Sequence, residues 1–235
     1  MSTFGIISEG ITDQIVIEQV ILGCFDGDEE EPVVNYVQPL LDRTGQSAVR
    51  EPGGWTLVFR YLELGKHREA LQFNDYLILH IDTDVCEEKG YDVPRREGGR
   101  ELTPEELVAL VVEKLRRLLG ADVVKAHGHR ILYAVAVDGI ECWLLPLLLT
   151  NKKARKITGC LAAMNHERRK RNLKPLSKAD GSDKDPRAYL DASRPYADGR
   201  NLRKLQDRNA SLALFVAQVP VVRLMGRLSP DFAAS

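Results

Sequence analysis

The sequence has no C-x-x-C pair, no glycine-rich phosphate loop and no apolar run long enough to cross a bilayer. Its four cysteines, Cys24, Cys86, Cys142 and Cys160, are scattered along 235 residues, which excludes a zinc knuckle and indicates no disulfide framework; buried, reduced thiols are expected. Without a G-x-x-x-x-G-K-[ST] stretch, any ATPase that works with this chain must be a separate protein. No charged and then apolar leader opens the chain, and its apolar runs fall short of the roughly 18 to 20 residues of a membrane span. A cytoplasmic protein with no membrane partner is the expectation. Repeats of solenoid length are missing too, and the only compositionally biased segment is the short acidic run DGDEEE at Asp26 to Glu31.

What is present is a charge polarity that the near-neutral total conceals. Residues 1–150 carry 14 Lys and Arg against 26 Asp and Glu, whereas residues 151–208 carry 17 against 7. Opposite halves of this kind point to different partners, cations for the first and a polyanion for the second. The compositional shift near 150 divides the chain into a first unit, 1–150, and a basic, mainly helical extension, 151–235, packing on it.

Hydrophobic periodicity supplies the architecture. Phe4 to Ser8, Pro32 to Val37, Tyr76 to Ile81 and Ile131 to Val137 read as strands, and YLILHI at 76–81 is apolar on both faces, as a central parallel strand should be. Between them lie helical patterns at Thr12 to Leu22, with Thr12 as a candidate cap, at Thr56 to Leu64 after the Gly53-Gly54 break, and from Thr103 to Gly120. The last of these opens with a cap, an N1 proline and first-turn acids in the preferred order. An apolar helix or turn covers Leu144 to Leu149. Strands alternating with helices predict an α/β fold with a mostly parallel sheet flanked by helices.

In such a sheet ligands gather at the carboxyl ends of the strands, and acids stand there. Glu9 follows the first strand, Asp82 and Asp84 follow the third, and Glu141 stands four residues beyond the fourth. Carboxylates that share a rim repel one another unless a cation neutralises them, and magnesium takes a few carboxylate oxygens together with water or phosphate. Glu141 could complete a metal shell or only anchor the turn below Trp143. His127-Gly128-His129 reads as a turn before a strand, and Trp55 and Trp143 as packing anchors.

E-G-x-T-D after the first strand (Glu9, Gly10, Thr12, Asp13), an apolar run ending D-x-D (Asp82, Asp84) and E-x-W after the next strand (Glu141, Trp143) together resemble the Toprim fold. The chain is similar in particular to small bacterial Toprim-like proteins, the overcoming-lysogenization-defect nucleases and the DUF4276 group, for which phage defence is a common context. Asn209-Ala210-Ser211 to Phe215-Val216 is similar to the N-P-S-x-x-x-F-V closing helix of such proteins, with Ala210 in place of the usual proline. The resemblance implies a Mg2+- or Mn2+-dependent nuclease, a hydrolase of nucleic-acid phosphodiesters. Glu9 would be general acid/base or metal ligand, Asp82 and Asp84 would hold the metal, and Asp13, where the family more often has Glu, would serve a second one. The implied chemistry is in-line attack of a metal-activated water on the phosphodiester.

The basic half would supply the nucleic-acid surface. Lys152, Lys153, Arg155 and Lys156, with Arg168, Arg169, Lys170 and Arg171, form its densest positive charge, suited to a DNA or RNA backbone. Arg95, Arg96 and Arg100 could touch a substrate phosphate or form an exposed loop tip, and Ser177 to Pro186 reads as an exposed loop. A homodimer is compatible with the pattern. Two other functions compete: a non-enzymatic adaptor or antitoxin with a structural ion, and a haloacid-dehalogenase-like phosphatase suggested by LILHIDTD. The phosphatase expects its motif on the first strand, and here it comes on the third.

Overall fold

The computed structural model describes residues 1–40 and 54–219; Gly53, expected to break the chain with Gly54, lies outside them. Four strands, β1 (Thr3–Ile7), β2 (Val33–Gln38), β3 (Tyr76–Asp82) and β6 (Ile131–Ala136), pair in parallel in the order β2-β1-β3-β6. This is the α/β architecture that the periodicity predicts. Between β3 and β6 a two-stranded hairpin, β4 (Arg96–Glu97) with β5 (Arg100–Glu101), stands apart from the sheet. Its arginines are engaged internally: Arg96 pairs with Glu101, Arg100 with Glu106, and Arg95 donates to the Thr83 carbonyl.

Strand alternation sorts the core into two layers. Leu77, Leu79 and Ile81 of β3 meet α2 (Trp55–Glu63), α3 (His67–Phe73), α4 (Pro104–Leu119) and α5 (Ala121–His127) on one face. Tyr76 and Ile78 face α1 (Ile11–Phe25) and α6 (Glu141–Leu148) on the other. Helix α4 opens with the predicted signals, a Thr103–Glu106 capping box and Pro104. Helix α1 differs from expectation: Gly10 is its N-cap, and Thr12 lies inside the first turn without capping it.

The second half is not a separate layer. The helices α7 (Cys160–Lys170), α8 (Pro186–Ser193), α9 (Gly199–Leu205) and α10 (Ala210–Val216) share their core with α1, β1, β3 and α6. At Gly23 a Cβ would fall 1.9 Å from the Tyr196 carbonyl oxygen, so only glycine permits this approach of α1 to the segment before α9. Helix α1 is covered on more than one side: besides its contact at Gly23, its buried Gln14 donates to the Gln38 and Pro39 carbonyls at the end of β2. Cys142 and Cys160 form a disulfide that ties α6 to α7. This corrects the expectation of four reduced thiols: residues 18 apart in sequence are brought side by side by a helix pair that spacing alone does not reveal. No described helix is long and apolar enough to cross a membrane.

Candidate metal centre

The strand order creates the site. From β1 the chain first goes to β2 on one side, then returns to place β3 on the other, so β1 and β3 are neighbours at a topological switch point. Crevices open at the carboxyl ends of such strands. The β1–β3 register runs to Ile7 opposite Leu79. Just beyond it, Glu9 Oε1 accepts a 2.8 Å hydrogen bond from the Asp82 backbone N–H.

Three groups converge there from two elements, α1 and β3. Asp13, in the first turn of α1, is buried, as are Asp82 and the fully enclosed His80. His80 and Asp82 lie two apart on β3 and therefore on its α1 face. Their partners in β6 are Ala134 and Ala136, whose small side chains leave room on that face. His80 Nε2 is 3.3 Å from Asp82 Oδ1 and 3.8 Å from Asp13 Oδ2. Neither His80 Nε2 nor Asp82 Oδ1 has a hydrogen-bond partner.

Glu141 reaches the same crevice from the start of α6. A Cβ on Gly139 would lie 2.8 Å from Glu141 Oε2 and 3.5 Å from Asp82 Oδ2. The two carboxylates thus converge over a residue that has no side chain. Glu141 is held there by Lys184 Nζ at 2.8 Å and by the Tyr189 hydroxyl, both bound to Oε1. Its helix is clamped from above by α10: Trp143 Nε1 donates to Ser211 Oγ, Asn209 Nδ2 donates to the Cys142 carbonyl, and Phe215 stacks on Trp143. E-x-W and N-x-S-x-x-x-F are two halves of one contact.

Protonation equilibria record the crowding. Burial, then the charges of Asp82 and Asp13, push the Glu9 carboxyl up to about 8. Burial also raises Asp82, to about 7, against the opposing pull of His80. For His80 burial favours the neutral ring, but Asp82, Asp13 and Glu9 outweigh it and raise the imidazolium to about 9. Glu141 moves the other way, because Lys184 and Tyr189 overcome the effect of its burial and hold it below the usual carboxylate range.

Asp84 sits further out. It is exposed, its N–H donates to the Asp138 carbonyl, and its carboxyl is raised by residual burial and by Asp138 and Glu141. Gly10 is extended, with φ of −155°, so its turn demands no glycine; a Cβ there would stand 3.4 Å from Asp13 Oδ2.

Of the predicted basic residues, Lys152, Lys153, Arg155 and Lys156 are exposed on and just after a short 3-10 turn, and Arg169, Lys170 and Arg171 on the last turn of α7 and just past it. Arg168 is different. It is buried, its guanidinium bonds the Lys174 carbonyl and Asp191, and it faces inward instead of toward a phosphate backbone. Lys170 and Arg171 both pair with Glu167. A cavity of about 480 Å³, with Arg169, Lys174, Lys178 and Lys184 on its walls, adjoins the acidic crevice at Lys184. Three of these four cations are countered within the chain, Lys174 by Asp185, Lys178 by Asp183 and Lys184 by Glu141.

Sequence reading missed two members of this site. His80 was hidden in a run that reads as uniformly apolar, although a lone imidazole two residues before Asp82 on the inward stripe is the available signal. Lys184 was hidden in a loop that composition marks as solvent-exposed. Comparison with protein-family models, with curated proteins and with solved structures gives no match.

Proposed function

We propose that the protein is a divalent-metal-dependent phosphodiesterase. More particularly, we read it as a Toprim-type nuclease acting on DNA or RNA, in the setting of phage defence or as a toxin effector. The observation that carries this reading is the meeting of Glu9, Asp13, Asp82 and Glu141 in one crevice, with Asp82 Oδ1 buried and unpartnered. Such a group of acids is stable only with protons or a cation.

The residues fit a metal. Asp82 and Asp13 offer buried oxygens and Glu9 adds a third carboxylate, while Gly139 leaves the space open. When bound, Mg2+ or Mn2+ supplies Lewis acidity toward a phosphoryl oxygen and lowers the pKa of water. Glu9, anchored through one oxygen on the Asp82 N–H, would be placed to exchange a proton with water or the leaving oxygen. Glu141, fixed by Lys184 and Tyr189, holds the far wall. Lys184 is already paired with Glu141, so exposed Arg169 on the same cavity wall is the cation that flanking phosphates of a polyanion would meet.

The test is cleavage of single- and double-stranded DNA and RNA with Mg2+ or Mn2+, with and without chelator. Cleavage should stop with chelator and fall roughly a hundredfold or more in Asp82→Asn, with an unchanged circular-dichroism spectrum. If wild type cuts none of these substrates with either ion, the enzymatic reading is wrong. The adaptor reading would then gain from His80 and Lys184, which already counter the acids from within the chain.

A further inference from the structure

We propose that Asp13, His80 and Asp82 form a mixed nitrogen and oxygen site for a first-row transition ion, with His80 Nε2 as a direct ligand. This rests on the metal-dependent reading above and deepens it: a site of carboxylates alone suits magnesium, and an imidazole shifts the preference toward manganese, cobalt or zinc.

The geometry of His80 carries the inference. Its Nδ1 lies 2.6 Å from the Ala134 carbonyl oxygen. A carbonyl only accepts, so Nδ1 bears the hydrogen, and in the neutral ring Nε2 bears the lone pair. Fixing one ring nitrogen on a backbone carbonyl is how proteins orient a metal-binding imidazole. Nε2 lies 3.3 Å from Asp82 Oδ1 and 3.8 Å from Asp13 Oδ2, and makes no hydrogen bond. One ligand atom from each of the three residues can be chosen so that all lie within 4.8 Å of one another. Bonds of about 2.1 Å from a shared ion place neighbouring ligand atoms roughly 3 to 3.5 Å apart, the range in which the His80–Asp82 pair stands. Full burial of the ring means that no bulk water serves Nε2 instead.

An alternative role for His80 is a permanent imidazolium that only neutralises the two aspartates. The roles give opposite signs. Removing a ligand weakens metal binding, whereas removing a buried positive charge from a cation site strengthens it.

The experiment is calorimetric titration of the full chain with MgCl2, MnCl2 and CoCl2 for wild type and His80→Gln, with pulsed EPR of the Mn2+-loaded wild type. We expect Co2+ and Mn2+ to bind wild type at least about tenfold more tightly than Mg2+. In His80→Gln the Co2+ and Mn2+ affinities should drop about 10- to 100-fold, with Mg2+ changing much less. The EPR spectrum should show a nitrogen coupled to the manganese. Because it is recorded on wild type, this result stands even if the variant fails to fold. Absence of nitrogen coupling, or unchanged or tighter Mn2+ binding in a folded His80→Gln, overturns the proposal. Nuclease activity that persists in that case keeps the phosphodiesterase reading intact. Conversely, nitrogen coupling in a protein that cuts no nucleic acid upholds the site and removes the nuclease.

Discussion

Glu9 Oε1 receives the backbone N–H of Asp82 at 2.8 Å, so a side chain continues the β1–β3 pairing past the point where the ladder ends. That bond fixes a carboxyl group against the acid it repels. The strain is electrostatic, and it has a definite pH signature.

In the metal-free protein, stability should fall as pH rises from about 4 to about 9. Glu9 at about 8, Asp82 at about 7 and His80 at about 9 all lie above their unfolded values. Each keeps a proton in the fold that the unfolded chain has released, and stability declines with pH wherever the folded state binds more protons. The contribution of the acids is whole below about 4 and is lost as pH passes 7 to 8; that of His80 is whole below about 6.5 and is lost through 9. The summed loss should be a few kcal/mol, read as urea midpoints in chelator at pH 5, 7 and 9. Added Mn2+ should flatten the profile, since metal displaces those protons. A midpoint that rises with pH in chelator would show that the three groups are not crowded as described.

The acids, their order and the parallel sheet were legible because each is a local signal: an apolar run, a turn and a carboxylate. What was not legible depends on relations between distant segments. Lys184 reaches Glu141 across 43 positions, and its loop looks solvated because the surrounding Asp, Ser and Gly residues are what any exposed turn would carry. Arg168 illustrates the converse. In sequence it is one of four consecutive basic residues, yet the helical rotation of α7 turns it inward to the Lys174 carbonyl while Arg169 stays outside.

Lys184→Met should destabilise the protein by about 2 to 4 kcal/mol, since it leaves Glu141 buried without its cation. The figure lies at or below the range for a fully enclosed pair because a third of the Lys184 side chain remains exposed. Combining it with Glu141→Gln should recover most of the loss, and a double-mutant cycle on chemical unfolding reads the coupling. Additive single effects would mean that the ion pair contributes nothing.

Reduction of Cys142–Cys160 should lower stability by roughly 3 kcal/mol, the value for a loop of comparable length, against a separation of 18 residues. Because the bond joins α6, which begins at Glu141, to α7, which carries the basic turn, its loss should loosen the acidic and basic walls together. Melting with and without a dithiol, with Cys160→Ser as the control, measures this. If the protein purified without reductant carries four titratable thiols, the bridge is absent and the two curves coincide.

Arg168→Ala and Arg169→Ala should separate structure from binding. Arg168 is buried with two hydrogen-bonded partners, so its loss should cost about 3 kcal/mol of stability. Arg169 is exposed on the wall of the basic cavity, so its loss should leave stability within about 0.5 kcal/mol. Binding of a short oligonucleotide in chelator, titrated over salt, should weaken in Arg169→Ala, and the slope of log affinity against log salt should fall by about one. Lys153→Ala, on the exposed 3-10 turn, should do the same if the surface extends that far. A slope that neither variant changes would place the nucleic acid on another face and leave the cavity without a phosphate to hold.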